Sequence, residues 1–199
     1  MAYQYHVFVS YRRKPPAQTW VHDLFVPELR NWMGTELGYG DVFFDEDSIG
    51  EGSSYTPKLQ SALRASRVMI SVLTAEYGQS PWCTIEYRSM MAREKLNGMR
   101  TPDNPGGLIL PVKFSLSSAF PKAFADVNPV DFSSFATANP AFRSSALFSD
   151  FSAAIRRLCT PLSAMLGAVP AYDPDCKVLT IAEAKRHIQK PPLNARIQL

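Results

Sequence analysis

The stretch Val68–Leu73, reading VMISVL, constrains this chain more than any other segment. It is apolar at nearly every position, so neither face suits water, and a strand of that kind is covered on both sides. Such a strand belongs to a parallel sheet between helices, and the neighbouring sequence supplies them. Before it, Tyr55, Leu59, Ala62, Leu63 and Ser66 recur at three and four, as on one helical face. After it, Pro81 is well placed to open a helix, WCTIEYRSMMAREKL, that ends at Asn97-Gly98.

The alternation continues in both directions. Tyr5 to Ser10 (YHVFVS) reads as a first strand, stopped by Arg12, Arg13, Lys14 and two prolines. From Ala17 to Leu37 the apolar face Trp20, Leu24, Phe25, Leu29, Trp32, Met33 and Leu37 marks a helix, with a kink expected at Pro27. Gly38 to Gly40 ends it. Asp41 to Phe44 is a short second strand running into Asp45, Glu46 and Asp47, followed by a loop with Gly50 and Gly52. Leu108 to Phe114 is a fourth strand whose Pro111 suggests a less central place, and Val127 to Phe132 supplies a fifth. Leu147, Phe148, Phe151, Ile155 and Leu158 share the face of a closing helix. The whole implies a doubly wound parallel sheet with right-handed crossovers and helices on both faces. Ligands of such sheets sit beyond the strand carboxyl ends, at the point where the connections change direction.

Composition narrows the class. The chain has 199 residues, 46% apolar and 20% charged, which suits one globular domain with a remainder. We place that domain at 1–160 and read 161–199 as a C-terminal extension, linker or docking arm. A net charge of +3 announces neither nucleic acid nor a membrane surface as a direct partner. No apolar run approaches the ~18 residues of a membrane span, and the first residues lack the pattern of a secretory leader. Cys83, Cys159 and Cys176 form no paired or metal-binding spacing, so a reducing cytoplasm is expected and no metal or cofactor is.

Phosphate-loop, dinucleotide and hydrolase-elbow motifs are all missing, and His6, His22 and His187 stand apart from one another. Three strand-end clusters remain: Ser10 to Lys14, Asp45 to Ser48 with its glycine loop, and Tyr77 to Glu86. In the last, Trp82 and Glu86 lie four apart near a helix start and share a face. Taken singly, each has a bland explanation: a solvated loop, a solvated strand end, and a core tryptophan beside an acid favoured in the first helical turn.

Together the clusters resemble the boxes of the TIR (Toll/interleukin-1 receptor) domain family. Val7-Phe8-Val9-Ser10-Tyr11-Arg12 matches the first box throughout. Asp45, Ile49, Gly52, Tyr55, Leu59, Ala62, Leu63 and Ser66 meet the second, and Tyr77, Ser80, Trp82, Cys83 and Glu86 the third. Leu110-Pro111-Val112 matches the fourth strand, whereas the late Phe-Trp box of some receptors has no counterpart, with Phe148 or Phe151 in its place. The resemblance implies a flavodoxin-like doubly wound five-stranded sheet, and either an NAD+ nucleosidase or cyclase of the prokaryotic type, in immune or antiphage defence, or a non-catalytic adaptor that works by TIR–TIR assembly. The glutamate of the third box favours the enzyme.

On that reading Glu86 is the catalytic carboxylate, and NAD+ is a substrate. Breaking the nicotinamide–ribose bond needs support for the positive charge that develops on the sugar, which a carboxylate supplies. Trp82 would line the nicotinamide pocket, Tyr11 a ring or ribose face, and Arg12 the pyrophosphate, with Arg13 or Lys14 as substitutes. Asp45 and Ser48 are further substrate contacts, and Ile49, Gly50 and Gly52 form a loop expected to fit against another TIR domain. Cys83, without a histidine in its motif, reads as a core thiol rather than a nucleophile. The extension after residue 160 could carry a partner domain or protein.

Overall fold

A computed structural model describes residues 2–44, 55–115 and 127–186. Five strands, β1 (Tyr5–Tyr11), β2 (Val42–Phe43), β3 (Ser66–Leu73), β4 (Ile109–Lys113) and β5 (Val130–Asp131), form one sheet in the order β2-β1-β3-β4-β5. Every pairing is parallel. The order reverses between β1 and β3, so the crevice beyond the carboxyl ends of these two strands is the switch point of the fold. Val68, Met69, Ile70 and Val72 of β3 are wholly buried, as an apolar central strand requires.

The first helical region is continuous but not uniform. Helix α1 (Ala17–Trp20) passes into a π-helical turn, Val21–Phe25, and then into α2 (Val26–Leu37). The ring of Pro27 would collide with the Asp23 carbonyl in a regular α-helix, and the wider turn relieves that crowding. The expected kink is therefore a π-turn, and it carries His22. Gly38 closes α2 in the left-handed region at φ 77°.

Helices α3 (Tyr55–Arg64) and α4 (Pro81–Leu96) follow β2 and β3 as the periodicity predicts. Pro111 sits in β4 between β3 and β5, not on an edge. β5 pairs only with Val112 and Lys113, so the missing amide of Pro111 interrupts no bond to β5.

Helix α5 (Ala146–Gly167) runs past Leu158 and through Pro161. Pro161 is exposed, so the carbonyl it leaves unbonded can meet water, while Leu162 and Leu166 on the opposite side stay in the core. Residue 160 thus lies inside a helix. Beneath α5 an aromatic cluster fills the space against the sheet: Phe151 meets Trp20, Phe132, Phe135, Phe142 and Phe148 at ring separations of 5.7–6.1 Å.

Beyond Gly167 the chain returns across the domain. Tyr3 Oη donates to the Pro170 carbonyl at 3.0 Å, Arg64 Nε to that of Cys176 at 2.9 Å, and the Leu179 amide to Ser89 Oγ at 3.0 Å. A short helix α6 (Ile181–Lys185) then packs beside α4.

Candidate functional site

Three local features place Glu86. Near the end of β1 Ser10 points to the α4 side of the sheet, Ser80 caps α4 by accepting from the Cys83 amide at 3.4 Å, and Pro81 opens the helix. Glu86, one turn further, is 5% exposed. Ser10 Oγ donates to Glu86 Oε2 at 2.5 Å, and Tyr77 Oη lies 2.6 Å from the same Ser10 oxygen. A serine hydroxyl has one proton, so if it goes to Glu86, Tyr77 is the donor to Ser10. Burial, and then the neighbouring Cys83 and Glu86, hold the Tyr77 phenol well above its ordinary pKa, so it keeps the proton that this chain requires. Opposite Ser10 in the β1–β3 register stands Ser71, whose buried Oγ has no hydrogen-bond partner among the described residues.

The charges around Glu86 are graded. Arg13 feels two opposed influences, desolvation that lowers its pKa and the Glu86 carboxylate that raises it, and as an arginine it remains the cation. Cys83 is pushed up to about 12, by burial and then by Glu86. Its Sγ lies 3.4 Å from the Tyr11 carbonyl. A thiol in that condition is no nucleophile at neutral pH.

The remaining expected site residues are dispersed. Trp82 is half-buried against the core, four residues before Glu86. Tyr11 follows Ser10 and so faces the other side of the sheet. Its hydroxyl meets His22 Nε2 at 2.5 Å, and its ring packs edge-on against that imidazole. Arg12 turns toward Glu76, with its Nε 3.7 Å from Oε2. Tyr11 and Glu86 are therefore not gathered on one face, and the Glu86 charge acts on Arg13, whose pKa burial nonetheless lowers. Asp45, Ser48, Ile49, Gly50 and Gly52 lie outside the described residues. Sequence reasoning gave Ser10 and Tyr77 no role beyond motif membership. The only signal for them was their presence in the same two boxes as Arg12 and Glu86.

A family model described as TIR domain matches residues 7–144, more than half of the chain. The chain belongs to the TIR-domain family. Among solved structures it is similar to the TIR domain of the Toll-related receptor TRR-2 of Hydra magnipapillata, at 17% identity and a TM-score of 0.48, covering 73% of this chain and 97% of that one. It is also similar to the TIR domains of the activated Roq1 resistosome, which directly recognises the pathogen effector XopQ, at 19% identity and a TM-score of 0.42, covering 92% and 96%. No helix among the described residues of this TIR protein is long and apolar enough to cross a membrane.

Proposed function

We propose that this TIR protein cleaves the nicotinamide–ribose bond of NAD+, as a glycohydrolase or cyclase, with Glu86 as the catalytic carboxylate. The observation that supports this most is the setting of Glu86: a buried acid beside the switch point, with one oxygen oriented by a chain of hydroxyls from Tyr77 through Ser10. Nicotinamide in NAD+ is already a cationic leaving group, so it departs neutral with the bonding electron pair and needs no acid. The positive charge then develops on the ribose. A carboxylate about 4 Å away in an effective dielectric near 20 contributes roughly 4 kcal/mol of attraction, about a thousandfold in rate. Water or an internal nucleophile of the ADP-ribosyl group closes the reaction and sheds its proton to solvent. Trp82 is our proposed wall for the nicotinamide. Immune defence signalling or NAD+ depletion in the cytoplasm is the setting that we propose, with self-assembly through the segment around Ile49.

Incubating the purified chain with NAD+ and resolving nicotinamide and ADP-ribose products by chromatography tests this, with Glu86→Gln alongside. Turnover that is equal in both proteins removes Glu86 from the chemistry. One observation favours the second reading, a TIR that acts by assembly alone: at 5% exposure Glu86 also suits a purely structural polar cluster. A folded protein that turns over no NAD+ at any concentration, with or without a crowding agent, establishes that reading instead.

A further inference from the structure

The apolar run Val68–Leu73 of β3 is broken at one position, Ser71. That serine is wholly buried, and its neighbours on the same face of the strand, Met69 and Leu73, are buried apolar side chains. Its Oγ hydrogen-bonds to no group among the described residues. Across the sheet it stands level with Pro111 of β4 on one side and with Ser10 of β1 on the other. Pro111 brings only its ring to that face, so Ser10 is the polar side chain that the register sets beside Ser71. An unpaired buried hydroxyl costs stability, and an alanine would fill the same place without it, so the serine calls for an explanation.

Ser10 has room for this neighbour. A hydroxyl has one proton and two lone pairs. The Ser10 proton goes to Glu86 Oε2 at 2.5 Å, and Tyr77 Oη, 2.6 Å away, donates into one lone pair. Among the described residues the other lone pair receives no donor. Adjacent strands run about 4.8 Å apart, so rotation of Ser71 about χ1 into another staggered well carries its O–H to that lone pair.

We propose that Ser71 is a positioning residue for Glu86: its hydroxyl donates to Ser10, and Ser10 passes the effect on to the carboxylate. Hydroxyls in a chain polarise one another, so a second donor into Ser10 strengthens the bond from Ser10 to Glu86. The carboxylate oxygen is then oriented from β3 as well as from β1 and Tyr77. The catalytic consequence rests on the NAD+ reading. The hydrogen-bond claim stands apart from it, since it concerns three side chains of this protein and no substrate.

A double-mutant cycle on the full chain tests it, with the carbon-13 NMR shift of the Glu86 carboxyl as the first readout. Ser71→Ala should move that shift in the otherwise unchanged protein and leave it still in the Ser10→Ala background, because a residue that acts through Ser10 has no other route. With NAD+, Ser71→Ala should lower kcat about fivefold, the worth of one neutral hydrogen bond, at constant KM. The urea midpoint should not fall. A carboxyl shift that stays put in both backgrounds, or moves equally in both, overturns the proposal. So does a loss of turnover that comes with a lower urea midpoint, since that marks Ser71 as packing alone. A protein that cleaves no NAD+ but whose Glu86 shift answers to Ser71 only through Ser10 defeats the NAD+ reading and keeps this one.

Discussion

Helix α4 carries two buried glutamates two turns apart, and they are held in opposite ways. Glu94, 3% exposed, is enclosed by partners that build the fold: Arg100 Nε donates to it at 2.7 Å, and the amides of Leu108 and Ile109 at 2.5 and 3.1 Å. Arg100 in turn donates to the Ile109 carbonyl, and a Cβ on Gly107 would stand 2.4 Å from its guanidinium. Everything there ties the end of α4 to the start of β4. Glu86 instead accepts from a hydroxyl on β1 that answers to a second hydroxyl, at the strand ends where ligands of this fold sit. Burial alone does not sort the two acids. The nature of the partners does, because backbone amides are fixed by the fold whereas a chain of hydroxyls orients one carboxylate oxygen.

The largest effect expected from breaking this contrast is on stability. Glu94→Ala leaves Arg100 and two amides without their acceptor and should cost about 3–5 kcal/mol, read from urea unfolding. A loss below about 1 kcal/mol would mean that the α4–β4 junction is held by other contacts. Glu86→Gln should do the reverse. We expect NAD+ cleavage to fall at least a hundredfold, about 2.7 kcal/mol in the barrier, while the unfolding free energy changes by no more than about 1 kcal/mol.

A pH series sharpens the comparison further. The Cys83 thiol rises on folding from 9.0 to about 12. Between those values the unfolded chain has released a proton that the folded chain retains, so stability should fall as pH rises, by roughly 1.4 kcal/mol per unit. Cys83→Ala should flatten that slope, and an equal slope in both proteins would assign it to other groups. The smallest effect is expected for Ser10→Ala, about 1 kcal/mol of stability with roughly tenfold slower turnover at constant KM. A change in KM alone would make Ser10 a binding residue rather than one that orients Glu86.

Much of this protein was legible before folding was considered. Periodicity and punctuation are local, so the unbroken apolar run of β3, the Ser80-Pro81 start of α4 and the Gly38 stop of α2 could each be read from a few neighbouring residues. Box spacing added the family and drew attention to Glu86. The sequence also misdirected at Pro111, because a proline's effect depends on its surroundings: it faces a strand too short to miss its amide.

What only the tertiary structure decided is which side of the sheet each residue serves and what it meets there. Ser10 and Tyr11 are adjacent in sequence and part to opposite faces because strand side chains alternate. Tyr77 and Glu86 come to one serine from 67 and 76 positions away. Arg12 and Arg13 look equivalent in the chain, yet one turns to Glu76 while the charge of Glu86 bears on the other. The sequence determined the elements and the chemistry available to them, since those follow from local sterics and residue type. Which groups share a dielectric, a proton or a counter-ion was settled by packing across the sheet, because such interactions depend on ångström distances that sequence separation does not encode.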